Sequence, residues 1–249
     1  VNTPIIYEFP LNERIRVFIR LEQLFQQFNH HLHGENIANK RAAISILLDI
    51  VAIFKRNDLK SEILKELDRY TNALNKTPEK LNENTAQLVG ISQKLYATTG
   101  KIGNHLMESE LFQSIAQRSS IPSGTCSFDL PEFHYWLHQD NETCLKDLNY
   151  WSQPFADIGV AIDLILGFIR RNCTVTEEVA PEGFFQITLN TGLSYQLLSV
   201  SVDKTQPYFA EISGGKHRCT IRFMRPSHNN QRPLQSTENI PFVLTRCIF

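Results

Sequence analysis

The apolar positions of this chain change their period once. Up to about residue 171 they recur at helical spacing; after Asn172 they alternate with polar and turn-forming residues. Residues 4–9 precede the first helical stretch and are β-branched and aromatic, which predicts a short strand. A helix is expected from Asn12, a residue suited to capping, with Leu11, Ile15, Phe18, Leu21, Phe25 and Phe28 on one face. Residues 29–40 are polar, with three histidines and a glycine, and read as a loop. Helices follow over 41–54 and 59–74, and from the start signal Thr77-Pro78-Glu79 to near Gly100. Shorter ones cover 108–118 and 131–138. The last two helical segments, 142–151 and 155–171, are expected to be separated near Pro154.

In the second part, Phe185, Ile187 and Leu189 alternate with polar neighbours, as do Leu198, Val200 and Val202. Residues 207–213 and 217–224 read as two strands joined at Gly214-Gly215, a compact hairpin turn. The polar, Pro-containing stretch 225–239 reads as a loop, and the last strand as about 240–248. The expected fold is therefore α+β. A helical domain of about seven helices spans 11–171, and an antiparallel β domain spans 172–249. The isolated strand 4–9 has backbone groups that need partners, and the later sheet is where they would be found.

Composition adds little to this picture. The 249 residues are 42% hydrophobic and 20% charged, enough to bury an ordinary globular core in one large or two modest domains. The run 158–169 is the most apolar, but it contains Asp163 and ends at Arg170-Arg171, so a buried helix is expected rather than a membrane span. The first ten residues lack a basic segment followed by an apolar one, so no signal peptide is expected. Five cysteines, odd in number and without a CxxC pair, fit reduced thiols in a cytoplasmic protein better than a zinc ribbon or a disulfide framework.

Charge changes the picture more. The net charge of −1 argues against wholesale coating of nucleic acid, yet residues 203–249 hold seven Lys or Arg against three Asp or Glu. In an extended strand Lys216, Arg218, Thr220 and Arg222 share one face, and His217, Cys219, Ile221 and Phe223 the other. The second set suits a core. The first places Arg218 and Arg222 about 13 Å apart at ~3.3 Å per residue, a spacing suited to carboxylates along a peptide. Arg225 and Arg246 would widen the patch. A solvated sheet face is the plainer reading, and nucleic acid is a third.

Other constellations are weaker. Ser213-Gly214-Gly215-Lys216 lacks the spacing of a phosphate loop and joins two strands. His134 and His138 stand four apart, but Tyr135 occupies the position where a zinc protease needs its glutamate. His30, His31 and His33 have no acidic or thiol companion at ligand spacing. Cys126 with Asp129 and His134 or His138 makes a thiol triad only on paper. The pair Glu177-Glu178 reads as part of a polar loop. No catalytic, cofactor or metal site is expected.

Several stretches together carry a resemblance. They are Phe9-Pro10-Leu11-Asn12-Glu13-Arg14-Ile15-Arg16, then Leu64-Lys65-Glu66-Leu67-Asp68-Arg69, then Ile121-Pro122-Ser123-Gly124-Thr125-Cys126-Ser127-Phe128-Asp129-Leu130-Pro131. Trp136-Leu137-His138 and the stretch from Ile212-Ser213-Gly214-Gly215-Lys216 to Met224 complete the set. In this order, spread over nearly the whole chain, they resemble the ZapD family of bacterial cell-division proteins, which associate with the tubulin-like FtsZ. The resemblance implies a homodimer at the mid-cell division site in the cytoplasm. Each protomer would bind the C-terminal tail of FtsZ, and the dimer would bundle filaments, with neither nucleic acid nor membrane as partner. It implies that the tail-binding arginines are Arg218 and Arg222, with Lys216 beside them. This chain has Glu110 where the family pattern has a basic helix residue, and Arg118 nearby is a candidate substitute.

Overall fold

The computed structural model describes residues 3–56, 58–75, 83–98, 100–215, 217–227 and 231–248. The chain forms two compact units. One comprises Val1–Ile19 and Leu166–Phe249, the other Arg20–Ile165. Seven α-helices are present among the described residues: α1 (Glu13–Leu32), α2 (Ile37–Arg56), α3 (Leu59–Asn75), α4 (Glu83–Ala97), α5 (Glu110–Arg118), α6 (Pro131–Leu137) and α7 (Asn141–Arg171). The chain passes between the units inside α1 and inside α7.

The helical unit departs from the sequence expectation in two places. The stretch 29–40 is not one loop: α1 continues to Leu32 and α2 begins at Ile37. Histidines in the last turn of α1 face the negative end of the helix dipole, where a basic residue is favourable. Asn36 then caps α2 by accepting the Asn39 N–H at 2.8 Å. The second departure is α7, a single helix of 31 residues with Pro154 inside it. Proline removes one intrahelical hydrogen bond. The apolar stripe nevertheless runs unbroken past it, with Leu148, Trp151, Phe155, Ile158, Ile162 and Ile165 all at most 4% exposed. Burial of that stripe outweighs one lost bond. By length and hydropathy α7 would also pass for a membrane span, but its buried stripe is that of a core helix. The start signal expected at Thr77-Pro78-Glu79 lies outside the described residues.

The other unit holds two antiparallel sheets. The first has the order β1-β4-β8-β2, formed by β1 (Ile5–Pro10), β2 (Cys173–Ala180), β4 (Tyr195–Val202) and β8 (Ile240–Ile248). The second has the order β3-β6-β5, formed by β3 (Phe184–Thr188), β5 (Phe209–Gly214) and β6 (Arg218–Arg225). A short β7 (Leu234–Gln235) pairs with β6. Alternation decides which side chains face inward. Leu198, Val200, Phe242 and Leu244 from the first sheet and Ile187, Cys219, Ile221 and Phe223 from the second share one buried cluster.

The N-terminal strand joins the sheet as expected, with Tyr7 opposite Val200 and Phe9 opposite Leu198. Two corrections concern this unit. Glu177 and Glu178 lie in strand β2, not in a loop. As an edge strand β2 keeps one side in solvent and tolerates polar residues. The stretch 225–239 is not wholly loop either. Leu234 and Gln235 pair with β6, and Ser236 is buried and donates its N–H to the Phe223 carbonyl at 2.9 Å.

Candidate partner-binding face

Strand β6 is the centre of its sheet. Inward, Cys219, Ile221 and Phe223 are fully buried. Outward, Arg218 and Arg222 are exposed, with the half-buried Thr220 between them. The inward side chains fix the register, because a slip of one residue would turn the arginines into the core.

The neighbouring strands complete the face. On β3, Phe184 lies opposite Arg222, Gln186 opposite Thr220 and Thr188 opposite Arg218. On β5, Glu211 lies opposite Arg222 and Ser213 opposite Thr220. Arg218 donates from Nη2 to the Gln186 side-chain carbonyl. Ser213 and Thr220 share a hydrogen bond between their hydroxyls at 2.8 Å. The result is a polar surface with two guanidinium groups, one carboxylate and the partly exposed ring of Phe184. Among the described residues neither Arg218 nor Arg222 forms an ion pair.

The remaining expected contributors are placed differently. Arg225 has the opposite parity on β6 and is bound internally. It forms an ion pair with Glu238, donates to the Tyr208 hydroxyl at 2.9 Å and lies over the Tyr208 ring. The Tyr208 hydroxyl also donates to Glu238, which holds that carboxyl below its usual range, with Arg225 adding to the effect. Arg246 lies on β8 in the other sheet, where it donates to Glu178 at 3.0 Å and to the Thr176 hydroxyl at 3.2 Å. Arg118 is in the last turn of α5, in the helical unit. Lys216 lies outside the described residues.

Glu110 is the first residue of α5, just after Ser109, whose hydroxyl accepts the Phe112 N–H. A carboxylate there is favoured by the helix dipole, so Glu110 has a local structural reason to be acidic. Phe184 and Glu211 were not foreseen as parts of the face. The alternation of Phe185 and Ile187 points Phe184 and Gln186 the other way, but only the register shows that Phe184 and Glu211 flank Arg222.

Two of the weaker constellations have local structural roles among the described residues. Gly214 and Gly215 turn a hairpin, with the Gly215 N–H bonded to the Arg218 carbonyl at 3.0 Å. The His134 and His138 rings lie 4.4 Å apart, and His138 Nδ1 bonds to the His134 carbonyl. Among the described residues no group of three or more His, Cys, Asp or Glu could hold a metal ion.

The sequence model of ZapD, described as a cell division protein, matches residues 19–222. The cell division protein ZapD of Methylococcus capsulatus is 46% identical over the full length of both chains. That of Aromatoleum aromaticum is 35% identical over 98% of each chain. That of a Janthinobacterium species is 33% identical over 98% of this chain and 100% of its own.

Proposed function

The chain belongs to the ZapD family of cell-division proteins, and from that premise we propose that it binds the C-terminal tail of FtsZ through β6 and, as a homodimer, crosslinks FtsZ filaments. The observation that carries this reading is the pair Arg218 and Arg222. Both are exposed on the central strand of a sheet, and neither is engaged in an ion pair among the described residues. Arg225 and Arg246, by contrast, already hold carboxylates of their own fold.

The mechanism is one of binding, without a chemical step. An acidic, extended or helical tail segment would place carboxylates on Arg218 and Arg222 and an apolar side chain against Phe184. Guanidinium forks suit such contacts because they are planar and permanently charged. Each exposed pair contributes about 0.2–1 kcal/mol, so a single tail would bind weakly. Two faces on one symmetric dimer, meeting filaments that display many tails, raise avidity by about 10²–10⁴. Such crosslinks are salt-sensitive and reversible, as a remodelling ring at mid-cell in the cytoplasm requires. Binding to duplex nucleic acid is the lesser alternative, since the net charge of −1 gives the chain no overall attraction to a polyanion.

Titration of an FtsZ tail peptide tests this directly. The wild-type protein should bind it, and the double variant Arg218→Ala/Arg222→Ala should lose about tenfold in affinity, by the sum of two exposed charge contacts. Co-sedimentation should show bundles with full-length FtsZ and none with tailless FtsZ. Equal pelleting of the two FtsZ forms would overturn the reading.

A further inference from the structure

Cys173 opens β2, separated from the end of α7 by Asn172, and Cys247 stands opposite it near the end of β8. The adjoining residues define what kind of pair this is. Ile248 donates its N–H to the Asn172 carbonyl at 3.0 Å. Hydrogen-bonded and non-hydrogen-bonded positions alternate along an antiparallel ladder, so Cys173 and Cys247 occupy a non-hydrogen-bonded position. There the Cα atoms approach to about 4.5 Å and the two side chains leave the same face side by side. That separation is within the span a disulfide accepts, about 4.4–6.8 Å.

The two thiols differ in access. Cys173 is partly exposed, and Cys247 is 2% exposed. Both are free. None of the other three cysteines has a cysteine across from it: Cys144 donates to the Trp136 carbonyl, Cys219 donates to the Gly215 carbonyl, and Cys126 lies in a turn.

We propose that Cys173 and Cys247 form a thiol–disulfide site, closed by hydrogen peroxide, that fastens the edge strand β2 to β8. The accessible Cys173 sulfur, as thiolate, attacks peroxide. An S–O bond forms, the O–O bond breaks and hydroxide leaves. Cys247 then gives up its proton, and its sulfur attacks that of Cys173. An S–S bond forms, the S–O bond breaks, and the departing hydroxide takes up a proton as water. Two thiols and one peroxide become one disulfide and two waters; the sulfurs are oxidised and the peroxide oxygens reduced.

The surroundings set the order and the pace. Burial pushes the Cys247 thiol up to about 12, with Cys173 and Glu8 adding to the shift and Arg170 opposing it. The second step therefore quickens as pH rises and more of Cys247 is thiolate. The strand that gains the bond is held on one side only, because β2 is the end of its sheet. A crosslink closing so long a loop restricts the unfolded chain.

The test uses the intact protein treated with hydrogen peroxide and then alkylated. Alkylated under denaturing conditions, the oxidised protein should take up three alkyl groups where the untreated protein takes up five, with the Cys173 and Cys247 peptides linked. The Tm should rise by about 5 °C and fall back with dithiothreitol. Closure should run faster at pH 9 than at pH 7. Cys173→Ser and Cys247→Ser should each abolish the link, and Cys126→Ser should keep it. If Cys247→Ser does not fold, the partly exposed Cys173→Ser still decides. Recovery of both thiols as alkylated cysteines, or oxidation of Cys173 to the sulfinic acid without a link, would overturn the proposal. A linked product with unchanged Tm would overturn the fastening of β2.

Discussion

Arg222 on β6 stands directly opposite Glu211 on β5, on the exposed side of the sheet. An opposite-charge cross-strand pair contributes about 0.2–1 kcal/mol to a sheet. Here the two charges are neighbours that do not close an ion pair, and the same carboxylate also competes with any acidic ligand for Arg222. Glu211→Gln keeps the shape and removes that competition. The variant should bind an acidic FtsZ tail peptide about two- to fivefold more tightly, by roughly one such pair energy. It should also be slightly less stable. Unchanged or weaker peptide affinity, read by fluorescence titration, would show that the ligand does not use this face.

The contrast between Arg222 and Arg225 gives a second test. Arg225 is three residues further along the strand but is tied to Glu238 and Tyr208. Arg222→Ala should therefore weaken peptide binding several-fold, while Arg225→Ala should change it by no more than about twofold. Their effects on stability should rank the other way. Arg225→Ala leaves Glu238 without its cation and uncovers the Tyr208 ring, so its Tm should fall further. Peptide titration and thermal denaturation of the two single variants, side by side, settle the order.

Much of this was readable from the sequence, and the failures have physical causes. Alternation alone put Arg218 and Arg222 outward and Ile221 and Phe223 inward, because a strand has a period of two. It left Glu211 invisible, since pairing between strands depends on register and turn geometry. Pro154 was read as a break by its local rule, yet the stripe from Leu148 through Ile165 gains more by continuing. Histidines 30 and 31 looked like loop residues by polarity, but they sit where a helix end favours positive charge. Strand β2 was missed because Thr174, Thr176, Glu177 and Glu178 carry the polarity that an edge strand allows. Arg225 and Arg246 counted toward a charge patch in one dimension; in three dimensions each is paired at home.

Acid should loosen the start of α7. Asp140 accepts the Thr143 N–H at 2.8 Å and its hydroxyl at 2.7 Å. These bonds, that from the backbone first, hold the Asp140 carboxyl below its ordinary value of 3.8. A carboxyl with a depressed folded value favours folding once ionised. Its contribution is complete above the unfolded value near 3.8 and is lost as pH falls through the lower folded value. Asp140→Asn retains an acceptor but no charge. The variant should have a lower Tm than wild type at pH 6, and the gap should close toward pH 2. A gap that stays constant over that range, in thermal melts followed by circular dichroism, would assign the difference to something other than ionisation.

The hairpin that carries the basic strand depends on one glycine more than on its neighbour. Gly214 has φ +143, a conformation that side-chain-bearing residues avoid. A Cβ added there would lie 2.4 Å from the Arg218 carbonyl oxygen and 2.6 Å from the Cys219 Cα. Both are backbone atoms, so the turn itself must move. At Gly215 an added Cβ meets nothing within 4 Å. Gly214→Ala should therefore lower stability by about 1–3 kcal/mol and shift the register of Arg218, weakening the tail peptide as well. Gly215→Ala should stay within about 0.5 kcal/mol of wild type and bind normally. Urea denaturation and peptide titration of both variants give the comparison. Equal behaviour of the two would mean that the turn does not hold the basic strand in place.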